Sequence, residues 1–295
     1  MTYEIETSSI DEFWSWLSPE KCIFKKPSKC IYRGQKDAWW SLEPSIFRET
    51  YVERFKDNVF RHSVENRIFL ERNFLKEFIE NCDEIGFPLP NDSREFRKKY
   101  VNEFRIENYL NNINTWPESD LYDVMALAQH YGMPTRLLDW SKKAYVAAYF
   151  AASSFLSSSN EERDNIEKLA IWVLNTSCEN LYPRLEIIKS PSYGLNKNIV
   201  SQSGCFTLLR DEHEHRSDNF NVPIPLDEYI SGILGFNHLQ KITIPVEFAP
   251  EILDKCKLYG VSGTVYFGYD GAAKSAIDVI NIMSYNHKKR NKTLN

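Results

Sequence analysis

AQHYGMPTRLLDWS, at positions 128–141, concentrates more chemically versatile side chains than any other stretch of the sequence. It contains histidine, tyrosine, threonine, arginine, aspartate, tryptophan and serine, and it is interrupted by Gly132 and Pro134. Glycine and proline favour turns, and polar residues presented by a turn are typical of binding sites. We therefore expect residues 128–141 to form a turn between two helices and to line a pocket.

The individual side chains of this run also have structural interpretations. His130 suits the end of a helix, and for this residue alone the structural interpretation is favoured. Arg136 and Asp139 are close enough in sequence for a local ion pair, and Ser141 suits a helix N-cap. The group taken together nevertheless favours a pocket.

The segments around this run alternate between helix and strand patterns. Tyr122–Tyr131 is predicted to be a helix that Gly132 ends, and Lys142–Phe155 a buried helix capped by Asp139 or Ser141. Shorter apolar runs predict strands at Cys30–Tyr32, Leu169–Leu174, Ile199–Leu209, Lys241–Val246 and Thr264–Phe267, and further helices are predicted at Pro250–Tyr259 and Asp270–Met283.

Residues 51–118 differ from the rest because they are charged, poor in glycine and periodic in the manner of helices. Residues 86–90 (GFPLP) should end a first helix, and a second helical stretch runs from about 93 to 110. We interpret 51–118 as a helical insertion within a single domain that covers residues 1–295. The apolar residues that recur on one face of the first helix are Phe60, Val64, Ile68, Leu75 and Ile79.

Composition excludes several functional classes. The 295 residues carry a net charge of −5, and 42% of them are hydrophobic, so the chain can bury a core and is not disordered as a whole. An acidic net charge disfavours nucleic acid as the main partner.

The six cysteines contain no CxxC pair, and no apolar run approaches the about 20 residues that span a bilayer. We expect a cytoplasmic protein with reduced thiols and no membrane partner.

The sequence lacks the common signatures of catalytic and metal-binding sites. The sequence contains no P-loop, GxGxxG, HExxH or GxSxG motif. His213 and His215 lie in the highly charged stretch Asp211-Glu212-His213-Glu214-His215, and no third ligand follows at a recognisable spacing. We interpret that stretch as a solvated loop and expect no metal.

Two further positions are candidates for chemistry. Arg33 ends an apolar strand, where its guanidinium can donate two hydrogen bonds to a phosphate or carboxylate, and Gly34 would let a ligand approach the backbone. Arg33 is equally suited to pair with a core carboxylate such as Asp139. Gln202 lies in a predicted strand, where its amide needs a partner, either a ligand or a loop.

Four motifs follow one another along the chain: Tyr32-Arg33-Gly34 with Trp40, Leu42 and Pro44; residues 128–141; Ala147 to Phe150; and Gln202-Ser203-Gly204-Cys205-Phe206. Together they resemble the FRG domain family, which is named for its N-terminal (F/Y)RG motif. Residues 258–260 and 266–271 also resemble the closing segment of that family, so the resemblance spans about residues 30–275.

The order of these motifs is also similar, more distantly, to the arginine–serine–glutamate class of ADP-ribosyltransferases. That similarity implies an α+β fold, with a split β-sheet core, flanking helices and the helical insertion. It implies NAD as the substrate, with Arg33 on its phosphate and Asp139 to Ser141 supporting the nicotinamide pocket. Gln202 stands where the class has a glutamate, and an amide cannot oppose the positive charge of an oxocarbenium-like sugar. Glu212, Glu214 or Asp139 would then supply the carboxylate, or the chain binds nucleotide without transfer chemistry.

The resemblance therefore implies a set of site residues and a function. The function is that of an NAD-consuming ADP-ribosyltransferase or NAD glycohydrolase, acting as a bacterial toxin or antiphage effector on a protein or nucleic-acid acceptor. The alternative is a non-catalytic nucleotide- or signal-binding module that regulates a partner protein. The predicted catalytic residues are Arg33, His130, Asp139 and Gln202, and the predicted NAD-binding residues are Tyr32, Gly34, Tyr131, Thr135, Arg136, Trp140 and Ser141.

Overall fold

The protein has an α+β fold, which confirms the expected fold class. The computed structural model describes residues 3–21, 24, 26–48, 63–110, 112–177, 182–188, 202–211, 223–233, 238–266 and 268–294. The strands are β1 (Tyr3–Glu6), β2 (Cys30–Gln35), β3 (Leu137–Ser141), β4 (Lys168–Asn175), β5 (Leu185–Ile188), β6 (Gly204–Leu209) and β7 (Leu239–Pro245). The α-helices are α1 (Ile10–Leu17), α2 (Val64–Glu84), α3 (Arg94–Arg97), α4 (Glu107–Leu110), α5 (Tyr122–His130), α6 (Ala144–Ser157), α7 (Asn160–Asp164), α8 (Leu226–Ile233), α9 (Ala249–Leu258) and α10 (Tyr269–Leu294).

The seven strands form one sheet in the order β1-β7-β4-β2-β3-β6-β5. β1 and β7 are parallel, and the other neighbours are antiparallel. β2 and β3 are joined at one residue pair, Tyr32 with Ser141, whereas β2 pairs with β4 along its whole length. We call this narrow junction the β2–β3 seam. It divides the sheet into halves of four and three strands, while the likeness to an ADP-ribosyltransferase core stays a prediction.

Helix α6 lies directly on β2, and this close contact explains Gly34. A Cβ atom at Gly34 would lie 1.9 Å from the carbonyl oxygen of Ala147 and 2.9 Å from the backbone nitrogen of Ala151. Buried alanines give α6 the narrow face that permits this approach. The expectation that Gly34 admits a ligand to the backbone is therefore wrong on this side, since helix backbone already fills the space.

The first helix of the predicted insertion forms as its periodicity indicates. In α2, the residues Val64, Ile68, Leu75 and Ile79 are buried, and Phe60 lies outside the described residues. The second predicted helical stretch is broken into α3, a π-helical turn at Lys98–Asn102 and α4. The insertion packs with α5 against the face of the three-strand half that carries Leu137, Phe206 and Leu208.

Four buried charges connect this insertion to the sheet. Arg136 donates to Glu71 from Nε at 2.7 Å and from Nη2 at 2.6 Å, and Nη2 also lies 3.0 Å from Asp211. Arg67 donates to Asp211 at 2.7 Å. All four residues are buried, and two cations face two carboxylates. Their mutual pairing offsets the cost of removing each charge from water.

Several local predictions differ from the structure. Residues 137–141 form β3 and not a turn, and the helix predicted from Lys142 begins at Ala144 without a side-chain cap. Residues 263–265 form a 3₁₀ turn where a strand was predicted, because the segment packs its Gly263 against α10. The last helix continues to Leu294. In the described part of the chain, no helix has the length and apolar character needed to cross a membrane.

Replacing Gly34 with alanine should destabilise the fold by about 3 kcal/mol, because the added methyl group must push α6 off the sheet. The measurement is the free energy of unfolding in urea. Gly232→Ala is the matched control: that glycine lies in α8 with nothing within 4 Å of an added Cβ, so its replacement should stabilise the protein by about 0.5–1 kcal/mol. Equal effects of the two substitutions would contradict the packing argument.

Glu71→Gln should cost about 3–5 kcal/mol, because it leaves two buried guanidinium groups facing one carboxylate. Glu77 lies on the same helix and is exposed, so Glu77→Gln makes the same charge change at the surface. We expect that control to alter the free energy of unfolding by less than about 0.5 kcal/mol. Thermal unfolding followed by circular dichroism compares the two variants.

Candidate functional site

A cleft of about 320 Å³ opens at the β2–β3 seam. It exists there because the two strands share one residue pair and leave space on either side of it. Helix α6 and the C-terminal end of α5 form its walls. The residues that line the cleft are Tyr32, Arg33, Gly34, Gln129, His130, Asp139, Trp140, Ser141, Ala147, Phe150, Ser154, Gln202 and Tyr266.

Arg33 reaches across the seam. Its Nη1 donates to the main-chain carbonyl of Asp139 at 2.7 Å and lies 3.7 Å from the carboxylate of the same residue. Since strands that diverge leave backbone groups unpaired, this guanidinium replaces a missing ladder hydrogen bond. Its Nε is buried and has no hydrogen-bond partner in the described structure. Burial lowers the pKa of the guanidinium, and Asp139 opposes that shift.

Asp139 and Arg33 are not the closed core pair that the structural interpretation requires. The side chain of Asp139 is 63% exposed, whereas that of Arg33 is 15% exposed. The carboxylate therefore meets solvent at the cleft, and the guanidinium lies deeper. A ligand that enters the cleft meets both a cation and an anion on facing strands.

His130 lies at the end of α5, beside the cleft. Burial on its inner side lowers the pKa of the imidazole, while the carboxylates of Asp139 and Asp270 act in the opposite direction. An imidazole whose pKa falls below its ordinary value near 6.5 is neutral at pH 7 and can accept a proton.

Gln202 enters the cleft from a turn and not from a strand, because β6 begins at Gly204. Ser203 has a φ of 50°, which turns the chain. Ser141 Oγ donates to the carbonyl of Gln202 at 2.7 Å, and the amide of Lys142 donates to the carbonyl of Ser203 at 3.0 Å. The turn is thus fixed to the end of β3, while the side-chain amide of Gln202 has no hydrogen bond within the described residues.

The cleft brings together eight of the eleven predicted site residues. Trp140 and Tyr32 are also part of the hydrophobic core, and Trp140 Nε1 donates to Thr207 at 2.9 Å, so their rings are mainly structural. The eight residues are Tyr32, Arg33, Gly34, His130, Asp139, Trp140, Ser141 and Gln202.

The other three predicted site residues do not line this cleft. Arg136 is 1% exposed and belongs to the buried charge cluster. Thr135 is buried, and its Oγ1 donates to Gln129 and accepts from the amide of Leu137. Tyr131 is 70% exposed on the surface beyond the cleft. Their predicted contact with a nucleotide in this cleft is therefore corrected.

Five lining residues were not predicted as site residues. Ala147, Phe150 and Ser154 follow one another at spacings of three and four, which places them on one face of α6. That spacing was readable in the sequence, but the apolar character of the segment favoured a buried helix. Gln129 and Tyr266 stand inside quoted motifs, and burial raises the pKa of the Tyr266 phenol.

No cluster of three metal-ligating side chains occurs within the described ranges. The interpretation of residues 211–215 as a solvated loop is wrong for Asp211, which is buried and paired with Arg67 and Arg136. Residues 212–215 lie outside the described ranges, and for them it stays a prediction. The lining of the cleft offers one carboxylate, one imidazole and one guanidinium.

A model of the FRG domain family matches residues 28–160. This match confirms, over residues 28–160, the resemblance to the FRG domain family noted in the sequence. The match includes all of β2, β3, α5 and α6, and hence both sides of the seam. The likeness of Gln202 and of residues 258–271 to the family lies outside it and stays a prediction. No curated protein and no solved structure matches the chain.

The imidazole of His130 should titrate below 6.5 in the folded protein, and Asp139→Asn should lower its midpoint further because a favourable negative charge is removed. Two-dimensional NMR of the histidine rings across pH measures this midpoint, with His130→Gln to assign the signal. Burial also lowers the pKa of His238, which serves as the control. Its midpoint should not respond to Asp139→Asn, and an equal change at both rings would rule out the local interaction.

Proposed function

We propose that the cleft binds a nucleotide of the NAD class and acts on the bond between its nicotinamide and ribose. The observation that carries this proposal is the arrangement of Arg33 and Asp139 on facing strands of one cleft, with His130 and Gln202 beside them. A cation suits the pyrophosphate. An exposed carboxylate suits a sugar that develops positive charge.

The size of the cleft supports a particular mode of binding. Its volume of about 320 Å³ is at the low end of small-molecule sites. One end of a dinucleotide fills such a space, and the remainder extends over the surface. The side-chain amide of Gln202, which has no hydrogen bond within the described residues, suits a carboxamide, since each group offers a donor and an acceptor. Phe150, on α6, and Tyr266 add aromatic rings to the lining of the cleft.

The same residues can be assigned roles in the reaction. The bond between the nicotinamide nitrogen and C1′ of the ribose breaks, and its electron pair leaves with nicotinamide. Asp139 stabilises the positive charge at C1′, which Gln202 cannot do. Water or an acceptor group then attacks C1′, and neutral His130 takes the proton that this nucleophile releases. Water as the nucleophile gives NAD hydrolysis, and a protein or nucleic-acid acceptor gives ADP-ribosyl transfer.

A non-catalytic nucleotide- or signal-binding module is the second candidate. Gln202 favours it, because a neutral amide in place of an acid binds a ribose without stabilising an oxocarbenium ion. In that case the cleft would regulate a partner protein through occupancy alone. The first candidate instead fits a bacterial toxin or antiphage effector, since NAD consumption arrests a cell.

Calorimetric titration with NAD, ADP-ribose and nicotinamide tests the binding step. Arg33→Gln should weaken NAD binding by about 10- to 100-fold, because charge-assisted hydrogen bonds contribute about 1.5–3 kcal/mol. Arg94→Gln is the matched control at an exposed position of α3 and should bind like the wild type. Absence of binding to all three ligands by the wild type would reject the proposal that the cleft binds a nucleotide of the NAD class.

Release of nicotinamide and transfer of labelled ADP-ribose separate the two candidates. Asp139→Asn should reduce nicotinamide release by about 100-fold or more while NAD still binds. Asp254→Asn, at an exposed site on α9, should leave the rate unchanged. Binding without any turnover in the wild type would favour the regulatory module and reject the enzyme.

A further inference from the structure

Helix α10 carries apolar residues on two opposite faces. One face is buried: Tyr149 Oη donates to Asp278 at 2.7 Å, Ser153 Oγ donates to it at 2.8 Å, and Ile282 packs on the core. The other face meets solvent. Exposed there are Tyr269 (95%), Ile280 (62%) and Met283 (67%), with Ile277 at the edge (47%). A helix that is apolar on both sides is normally covered on both sides.

The exposed residues form a continuous stripe. With about 100° of rotation per residue, Tyr269, Ala276, Ile280 and Met283 lie within about 40° of one direction, and Asp278 points the opposite way. No charged residue lies on this stripe between Ala273 and Met283. We call it the α10 stripe.

The α10 stripe is complementary to itself when two copies run antiparallel. Small side chains then lie opposite large ones, which allows close packing. The facing positions, placed symmetrically about Asp278, are Ala273 with Met283, Ala276 with Ile280, and Tyr269 with His287.

Charge favours the same arrangement. Lys288 follows the stripe, and the antiparallel pairing places it about 3 Å along the helix axis from Asp270 at the start of the helix in the second copy. The charge of Asp270 already reaches His130 at the cleft. Lys288 of one copy would therefore lie near the mouth of the other copy's cleft.

We infer that the α10 stripe is the interface of an antiparallel homodimer of this chain. A lipid surface fits the stripe less well, because its basic residues are grouped at one end and do not flank the apolar residues along their length. The inference does not depend on the proposed reaction. It concerns the assembly of the chain, which is measured as the molecular mass in solution.

Cross-linking tests the pairing directly. Ala273→Cys and Met283→Cys, made in separate chains and mixed under mild oxidation, should give a disulfide-linked dimer. Each variant alone should not, because two copies of position 273 lie about 15 Å apart along the antiparallel axis, and a disulfide needs Cα atoms within about 7 Å. Wild-type protein reports any linkage through native thiols. A strong cross-link with Ala273→Cys alone would overturn the antiparallel arrangement.

Sedimentation velocity over a range of concentrations tests the dimer itself. Ile280→Asp should weaken association by on the order of 100-fold, because symmetry places the new charge in the apolar interface twice. Phe87→Asp adds the same charge at another exposed apolar site, 65% exposed, and should associate like the wild type. A wild-type protein that stays monomeric at all concentrations overturns the inference. The same holds if the monomeric protein binds anionic vesicles instead.

Discussion

One residue pair, Tyr32 with Ser141, joins the two halves of the sheet. The cleft exists because the two strands are not paired beyond this point. Fully paired strands would leave no cleft, and unpaired strands would leave the halves unconnected. Arg33 permits both the cleft and the connection, because its guanidinium donates a hydrogen bond across the gap to the main-chain carbonyl of Asp139. The residue that closes the seam is therefore also one that lines the cleft, so a substitution of Arg33 changes the junction of the sheet and the lining of the cleft together.

Much of the site was predictable because its residues lie in two short motifs. Tyr32-Arg33-Gly34 and residues 128–141 carry seven of the eight predicted residues that line the cleft, and a resemblance to a family brought the motifs together. The prediction of site residues failed where the partners of a motif residue lie outside the cleft. Arg136 finds its partner Glu71 sixty-five positions away, and a single sequence contains no signal of that contact.

The prediction of secondary structure was wrong at the site for a related reason. Residues 137–141 are a strand of five residues with its aspartate exposed in the middle, a pattern too short for its period to outweigh the preceding glycine and proline. Gly34 was assigned to the ligand because glycine permits close approach, and the structure shows that a helix makes the approach. In both cases tertiary packing decided a question that local sequence left open.

The buried charge cluster has a consequence for how this family can diversify. Arg136 directly precedes β3, and Asp211 lies two residues after the end of β6, while Arg67 and Glu71 belong to α2. The segment that contains α2 is therefore not an exchangeable module. A relative that acquires a different helical segment at this place must change four residues in three distant parts of the chain together, or lose the alignment of the strand that carries its cleft.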